Sequence, residues 1–460
     1  KQRACRRGTK HKDAFTPTSP KRQLTMAMAS LSFSIRDYDE RRDAQRVDEV
    51  EKICEAGPSG SISLFTDLLG DPLCRVRNFP AYAMLIAEVH TGVEMEIVGM
   101  IRAGIKEVVC GHCCSSQDET QEGKTGNARD FASIAYILGL RVAPQYRRLG
   151  IGIELVKRVE AWCKEQGAQY TYIATEKDNE ASVNLFTCKL GYSKFRTPAI
   201  LVQPVYASCK RMHPRVQIVE LSKEKAETLY RDVFKDKEFF PRDVDVIMKS
   251  KLHRGTWVAM WRDEEKQGKK AHKKHGKAEK NQVRSIGEEH ENLASLASSS
   301  SSSSWAVLSV WKCNEIFKLE VKGASFHTRT VVATARLFGK LVKRLGTVPT
   351  PPNVFKPFGL QLVYGVHSHG ERGAELVREL CWHAHNLAKR DSCAVVAVEV
   401  GSCDPLRASI PHWASLSCDE DLWCIKCLSP SATCASNEMG EWEWSTSPPP
   451  PSLFVDPRDF

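Results

Sequence analysis

The sequence predicts a mixed α/β protein built as two similar domains in tandem. Three observations predict it. A strand, a two-glycine turn and a helix succeed one another from Phe131 to Gln166. A further strand–helix unit, Tyr170 to Leu190, follows at once. After Ser208 the same order of elements starts again, without the glycine turn. At 460 residues the chain has room for two or three domains, and 42% hydrophobic content is typical of globular domains. No run of 18 apolar residues exists, so neither a transmembrane helix nor a membrane partner is expected. The seventeen cysteines are scattered with no secretory apolar segment before them, which favours free thiols in a reducing compartment.

Residues 1–30 hold eight Lys/Arg and one acid, Asp13. A disordered basic leader is expected there rather than a transit peptide, because no amphipathic apolar face is visible. Leu31 to Ile35 reads as a strand and Asp43 to Cys54 as a charged helix. Ala81 to Val89 and Glu96 to Val109 read as a strand pair joined by His90-Thr91-Gly92. The next strand alternates Ile134, Tyr136, Leu138 and Leu140 within a run apolar enough for burial on both faces. It stops at Pro144, and Arg147-Arg148-Leu149-Gly150-Ile151-Gly152 leads into a helix. Glycines let the backbone approach a ligand closely, and a helix N-terminus presents free N–H groups and the positive end of its dipole. Two arginines add forked donors suited to phosphate. The turn therefore reads as a pyrophosphate cradle, although it is neither a P-loop nor a dinucleotide fingerprint. Ile151, Leu155, Val156, Val159 and Trp162 give the helix an apolar stripe, and Gly167 ends it. Tyr170 to Thr175 is a strand, and Asp178-Asn179 opens a helix that Gly191-Tyr192 closes.

Arg-x-x-Gly-x-Gly after a strand resembles the acetyl-CoA motif of the GNAT acetyltransferase superfamily. Asn179 to Phe186 followed by Gly191-Tyr192 is similar to its Asn-x-x-Ala-x-x-Leu-Tyr…Gly-Phe/Tyr block. The resemblance implies a GNAT fold over 31–207, acetyl-CoA as cosubstrate, no metal, and an amine acceptor on a protein (histones included) or a small molecule. It implies that Leu140, Arg141 and Val142 face the pantetheine and acetyl group. It further implies that Arg147, Arg148, Leu149, Gly150, Ile151 and Gly152 hold the pyrophosphate, with Asn179 and Ser182 on the other side. Two positions depart from the pattern. Phe186 stands where many members carry an acidic Tyr, and the strand YTYIAT contains no Glu. Glu176, Tyr136 and Tyr192 are then the candidates for proton transfer, against helix capping for the first and core packing for the phenols. Phe186 and the missing Glu also motivate an alternative, a scaffold or regulator that binds acetyl-CoA without turnover.

The second domain, 208–460, reads as a degenerate GNAT-like repeat. Its strands are Arg215 to Leu221, Thr256 to Trp261, segments of Trp305 to Val321, Phe358 to Val366, Cys393 to Val400 and Asp421 to Leu428. Its helices are Lys223 to Phe234 and Glu371 to Lys389, with a short one within Asp404 to Trp413. Gly370 and Gly373 precede the long helix, but the Arg-x-x-Gly-x-Gly cradle is missing. His367 and His369 beside them are read as neither catalytic nor metal-binding. An insertion at 263–304, rich in Lys and Ser, is too polar to bury a core. Its Lys269–Lys277 tract suits nuclear targeting, so the nucleus is slightly favoured over the cytoplasm, while direct nucleic-acid binding is not expected. Cys110-x-x-Cys113 with His112 could offer zinc ligands, but no partner pair lies near it and buried thiols are common.

Five longer blocks extend the resemblance to plant HOOKLESS-type N-acetyltransferases over residues 32–460. They are Gly57 to Gly60 with Ser63 to Pro72, Ala174 to Phe186, Phe239 to Asp243, His383 to Lys389 and Ser417 to Lys426. That resemblance implies a regulatory role in hormone-controlled differential growth.

Overall fold

The structure, a computed structural model, describes residues 32–55, 63–92, 94–110, 131–262, 304–323, 352–428 and 444–460. The basic leader, the Gly57–Gly60 turn, His112 and Cys113, the loop 115–130 and the Lys/Ser insertion up to 303 lie outside the described residues.

In chain order the first half gives β1 (Phe33–Asp37), α1 (Glu40–Ile53), β2 (Ser63–Asp67), β3 (Ala81–His90), β4 (Met95–Val109) and β5 (Phe131–Val142). Then come α2 (Ile151–Glu165), β6 (Tyr170–Glu176), α3 (Glu180–Asn184), a π-helical turn Leu185–Lys189, β7 (Ser193–Arg196) and β8 (Ala199–Pro204). The second half gives β9 (Val216–Leu221), α4 (Lys223–Val233), α5 (Val244–Lys249), β10 (His253–Trp261), β11 (Trp305–Trp311) and β12 (Lys318–Lys322). It closes with β13 (Leu360–His369), α6 (Gly373–Arg390), β14 (Val395–Val400) and β15 (Asp421–Cys427).

Two mixed sheets result, ordered β1-β3-β4-β5-β6-β15-β7 and β8-β14-β13-β11-β10-β9. Each contains one parallel pair, β5 with β6 and β13 with β14, among antiparallel neighbours. The repeat read in the sequence is therefore a repeat of sheet order. Its closing strands are exchanged. β15 inserts between β6 and β7, whereas the sequence reading placed it at the end of the second domain. β8, which the sequence reading did not find, crosses to pair with β14. The physical reason for the crossing lies at Thr197-Pro198, between β7 and β8. Pro198 has no N–H to continue a ladder, so the chain leaves one sheet there and enters the other. A short ladder of β2 with β12 adds a further link between the halves. Each sheet therefore holds strands from both sides of residue 207.

The two faces of the first sheet are covered differently. α2 packs Leu155, Val156 and Val159 over Ala135, Ile137, Ile173, Leu422 and Cys424. The opposite face is aromatic: Tyr136, Tyr170, Tyr172 and Trp423 meet Phe239 and Trp444 of the second half. Alternation along β15 explains its fit, with Leu422 and Cys424 on one face and Trp423 and Ile425 on the other. Buried ions tie down segment 454–460. Lys106 Nζ lies 2.6 Å from Asp459, and Arg458 pairs with both Asp243 and Asp456.

Candidate active site

The site begins where β5 and β6 part. They pair only through Ile134–Tyr136 and Tyr170–Tyr172. Beyond these residues no ladder joins them, and β5 bulges against β4 between Leu138 and Arg141. Gly139 sits in this bulge at φ +62°, and a side chain there would collide with the Arg102 guanidinium. Only glycine meets both demands.

A cavity of about 1190 Å³ occupies the gap. Its walls form three groups. The turn and helix start contribute Arg147, Arg148, Gly150, Ile151 and Gly152. The separated strands contribute Leu138 to Val142 and Ile173 to Glu176, with Asn179, Ser182 and Phe186 beyond them. Arg75, Tyr136, Ile200 and Asp421 also line it.

Gly150 precedes α2 at φ +87°, with no atom within 4 Å of where a side chain would begin. Arg148 also adopts a left-handed backbone, at φ 68°. The helix N–H groups are thus left open to the cavity, which is the geometry of an anion site. Arg147 donates to the Val142 carbonyl at 3.1 Å and pairs with Glu55 at 3.0 Å. Leu140, Arg141 and Val142 all line the cavity, but the Arg141 guanidinium is engaged by buried Glu51 at 3.1 Å. Asn179 caps α3 by accepting from the Ser182 N–H at 3.2 Å. Leu149 is not among the residues lining the cavity; half-buried, it packs against the hydrophobic core that α2 covers.

The three proton-transfer candidates separate. Tyr136 lines the cavity and stacks on Tyr172 at 4.8 Å; burial holds its phenol well above the ordinary range. Glu176 lines it half-buried, and burial, then Asp178, raises its carboxyl. Tyr192 does not reach it. Its hydroxyl accepts from Thr171 at 3.0 Å and its ring meets Phe186 edge-on, so the phenol serves the core and its proposed proton-transfer role falls away. Asp421 is the group sequence reasoning missed. It is 6% exposed, lines the cavity, and is pushed up to about 7 by burial, then by Glu176. The available signal was its place in the alternation Asp421, Trp423, Ile425, an acid in a core-facing phase.

Among the described residues the corresponding turn of the second sheet is filled. Side chains built at Gly370 and Gly373 would meet Ser304 at 2.6 Å and Ser368 at 2.8 Å. His367 and His369 pack against Trp305. Among the described residues no group of His, Cys, Asp and Glu has the arrangement of a metal site.

Residues 66–192 match the Acetyltransferase (GNAT) family. The chain is 48% identical over 426 residues to "Probable N-acetyltransferase HLS1" of Arabidopsis thaliana, covering 93% of this chain and 99% of that protein. It is 46% identical to "Probable N-acetyltransferase HLS1-like" of the same plant, over 93% of this chain and 98% of that one. It is 34% identical to "Acetyl transferase GW6a" of Oryza sativa subsp. japonica, over 95% and 99%.

Proposed function

The chain belongs to the GNAT acetyltransferase family, within its HOOKLESS-type plant group, and from that premise we propose that it transfers acetyl from acetyl-CoA to a primary amine. The observation that carries this reading is the open helix start at Gly150–Gly152 facing the gap between β5 and β6. Acetyl-CoA supplies an activated thioester. The protein's part is to hold and orient it. The α2 N–H groups with Arg147 and Arg148 would take the pyrophosphate, and the unpaired edge of Leu138 to Val142 would take the amide-bearing arm. Asn179 and Ser182 would close the far side. Group membership also supports a role in hormone-controlled differential growth, and the Lys269–Lys277 tract supports a nuclear location.

Phe186 favours a second reading. It lines the cavity and has no proton to give the leaving thiolate, so a protein that binds acetyl-CoA without turnover would look the same at this position. Radiolabelled acetyl-CoA offered with histone-tail peptides and small polyamines separates the two. Label transferred to an acceptor supports the enzyme; tight binding without transfer supports the sensor.

A further inference from the structure

Three consecutive acids precede and begin β15. Asp419 pairs with Arg407 at 2.8 Å, and Glu420 with Lys177. Asp421 has no lysine or arginine partner among the described residues, yet it is the most buried of the three. β15 is pinned in place: the Asp421 N–H donates to the Pro198 carbonyl at 2.8 Å, and Asp421 stands opposite Glu176 in the ladder. Opposed residues on antiparallel strands share a face with Cβ atoms about 5 Å apart. That face carries Tyr136 and lies opposite α2. Asp421 is thus more than nine-tenths buried, without a lysine or arginine partner among the described residues, and it lines the cavity where the strands part.

We propose that Asp421, carried into the first domain by the exchanged strand, accepts the proton that an acceptor ammonium must lose before attack. The inference rests on the acetyltransferase reading and names the acceptor class, a primary alkylammonium. The carboxylate takes one proton from R–NH₃⁺, leaving a nitrogen lone pair. That nitrogen bonds to the thioester carbonyl carbon, the C–S bond breaks, and the electron pair leaves on sulfur. The second proton lost from the nitrogen neutralises the thiolate, and Asp421 returns its proton to water. Charge placement suits this acceptor. Glu176 on β6 adds negative potential around Asp421, while Tyr136 and Ile200 offer apolar surface to an alkyl stem. Glu399 Oε1 on β14 is buried without a hydrogen-bond partner, and burial, then Asp421, raises its carboxyl. Other titratable groups facing Asp421 are Tyr136 on β5 and Cys418 in the loop before β15. The Leu422 amide favours its charged form.

The test uses the full chain, with a histone-tail lysine peptide and spermidine as acceptors. Asp421→Asn should lower kcat/KM by roughly 100- to 10,000-fold, the range for losing a positioned proton acceptor, while acetyl-CoA binding measured by calorimetry stays within about twofold. Asp421→Glu should restore part of the rate. The wild-type rise of kcat/KM through the Asp421 ionisation should be missing from Asp421→Asn. Wild-type transfer with Asp421→Asn within about threefold of it overturns the inference alone. No transfer by the wild type to either acceptor overturns the inference together with the acetyltransferase reading.

Discussion

Gly152 gives a prediction with opposite signs for stability and binding. It occupies the first turn of α2, and a Cβ there would lie 3.8 Å from Val142, 3.9 Å from Leu140 and 4.0 Å from Leu185. These are ordinary van der Waals distances, so Gly152→Ala adds no strain. Replacing glycine by alanine in a helix reduces the entropy of the unfolded chain and gains about 0.5–1 kcal/mol. All three neighbours line the cavity, so the methyl projects where the cosubstrate's phosphates would approach the backbone. Losing one charge-assisted hydrogen bond costs about 1.5–3 kcal/mol, or roughly 10- to 100-fold in affinity. Thermal melts without ligand and calorimetric titration with CoA read the two effects separately. Gly150→Ala should behave differently in the melt: its space is open, but φ +87° costs an L-residue about 1–2 kcal/mol. Gly152→Ala that melts higher yet binds CoA like the wild type would refute the cradle.

Further outcomes follow from the same geometry. Arg147→Ala removes a largely exposed side chain and an ion pair with Glu55, so melting should change by less than about 1 kcal/mol while CoA affinity drops about tenfold. Asp421 is raised by burial, so its contribution is fully present at low pH and is lost as pH rises through about 7. Asp421→Asn should therefore melt higher than wild type at pH 8 and not at pH 4, by at most about 4 kcal/mol, from the rise of 3.8 to about 7. Lys106→Met leaves Asp459 buried without its cation and Asp456 with Arg458 alone, and should cost about 3–5 kcal/mol, with segment 454–460 the first to lose hydrogen-exchange protection.

Much of this architecture is legible in local sequence. The cradle is readable because a turn that needs φ > 0 needs glycine, and Gly150 and Gly167 advertise both ends of α2. The long helices and central strands are readable from their periodicity. The partners of the closing strands are not. β8 and β15 look alike as short apolar runs, and which sheet each enters depends on pairing across more than 190 residues, from Ala199 to Val400 and from Glu176 to Asp421. β7 is only four residues long and β2 five, too short for a periodic signal. The same non-local pairing hid Asp421, because an acid next to Asp419 and Glu420 reads as one more solvated charge. Tyr192 misled for the reverse reason: a phenol in a motif gives no sign, before the sheet is assembled, of which side of it the ring will face.

The most direct test of the central claim is calorimetric titration of acetyl-CoA into residues 31–460 and into the same chain carrying Gly150→Glu and Gly152→Glu. The account predicts saturable one-to-one binding by the wild type, lost when two carboxylates occupy the helix start. Absence of binding by the wild type, or equal binding by the folded double variant, would contradict it.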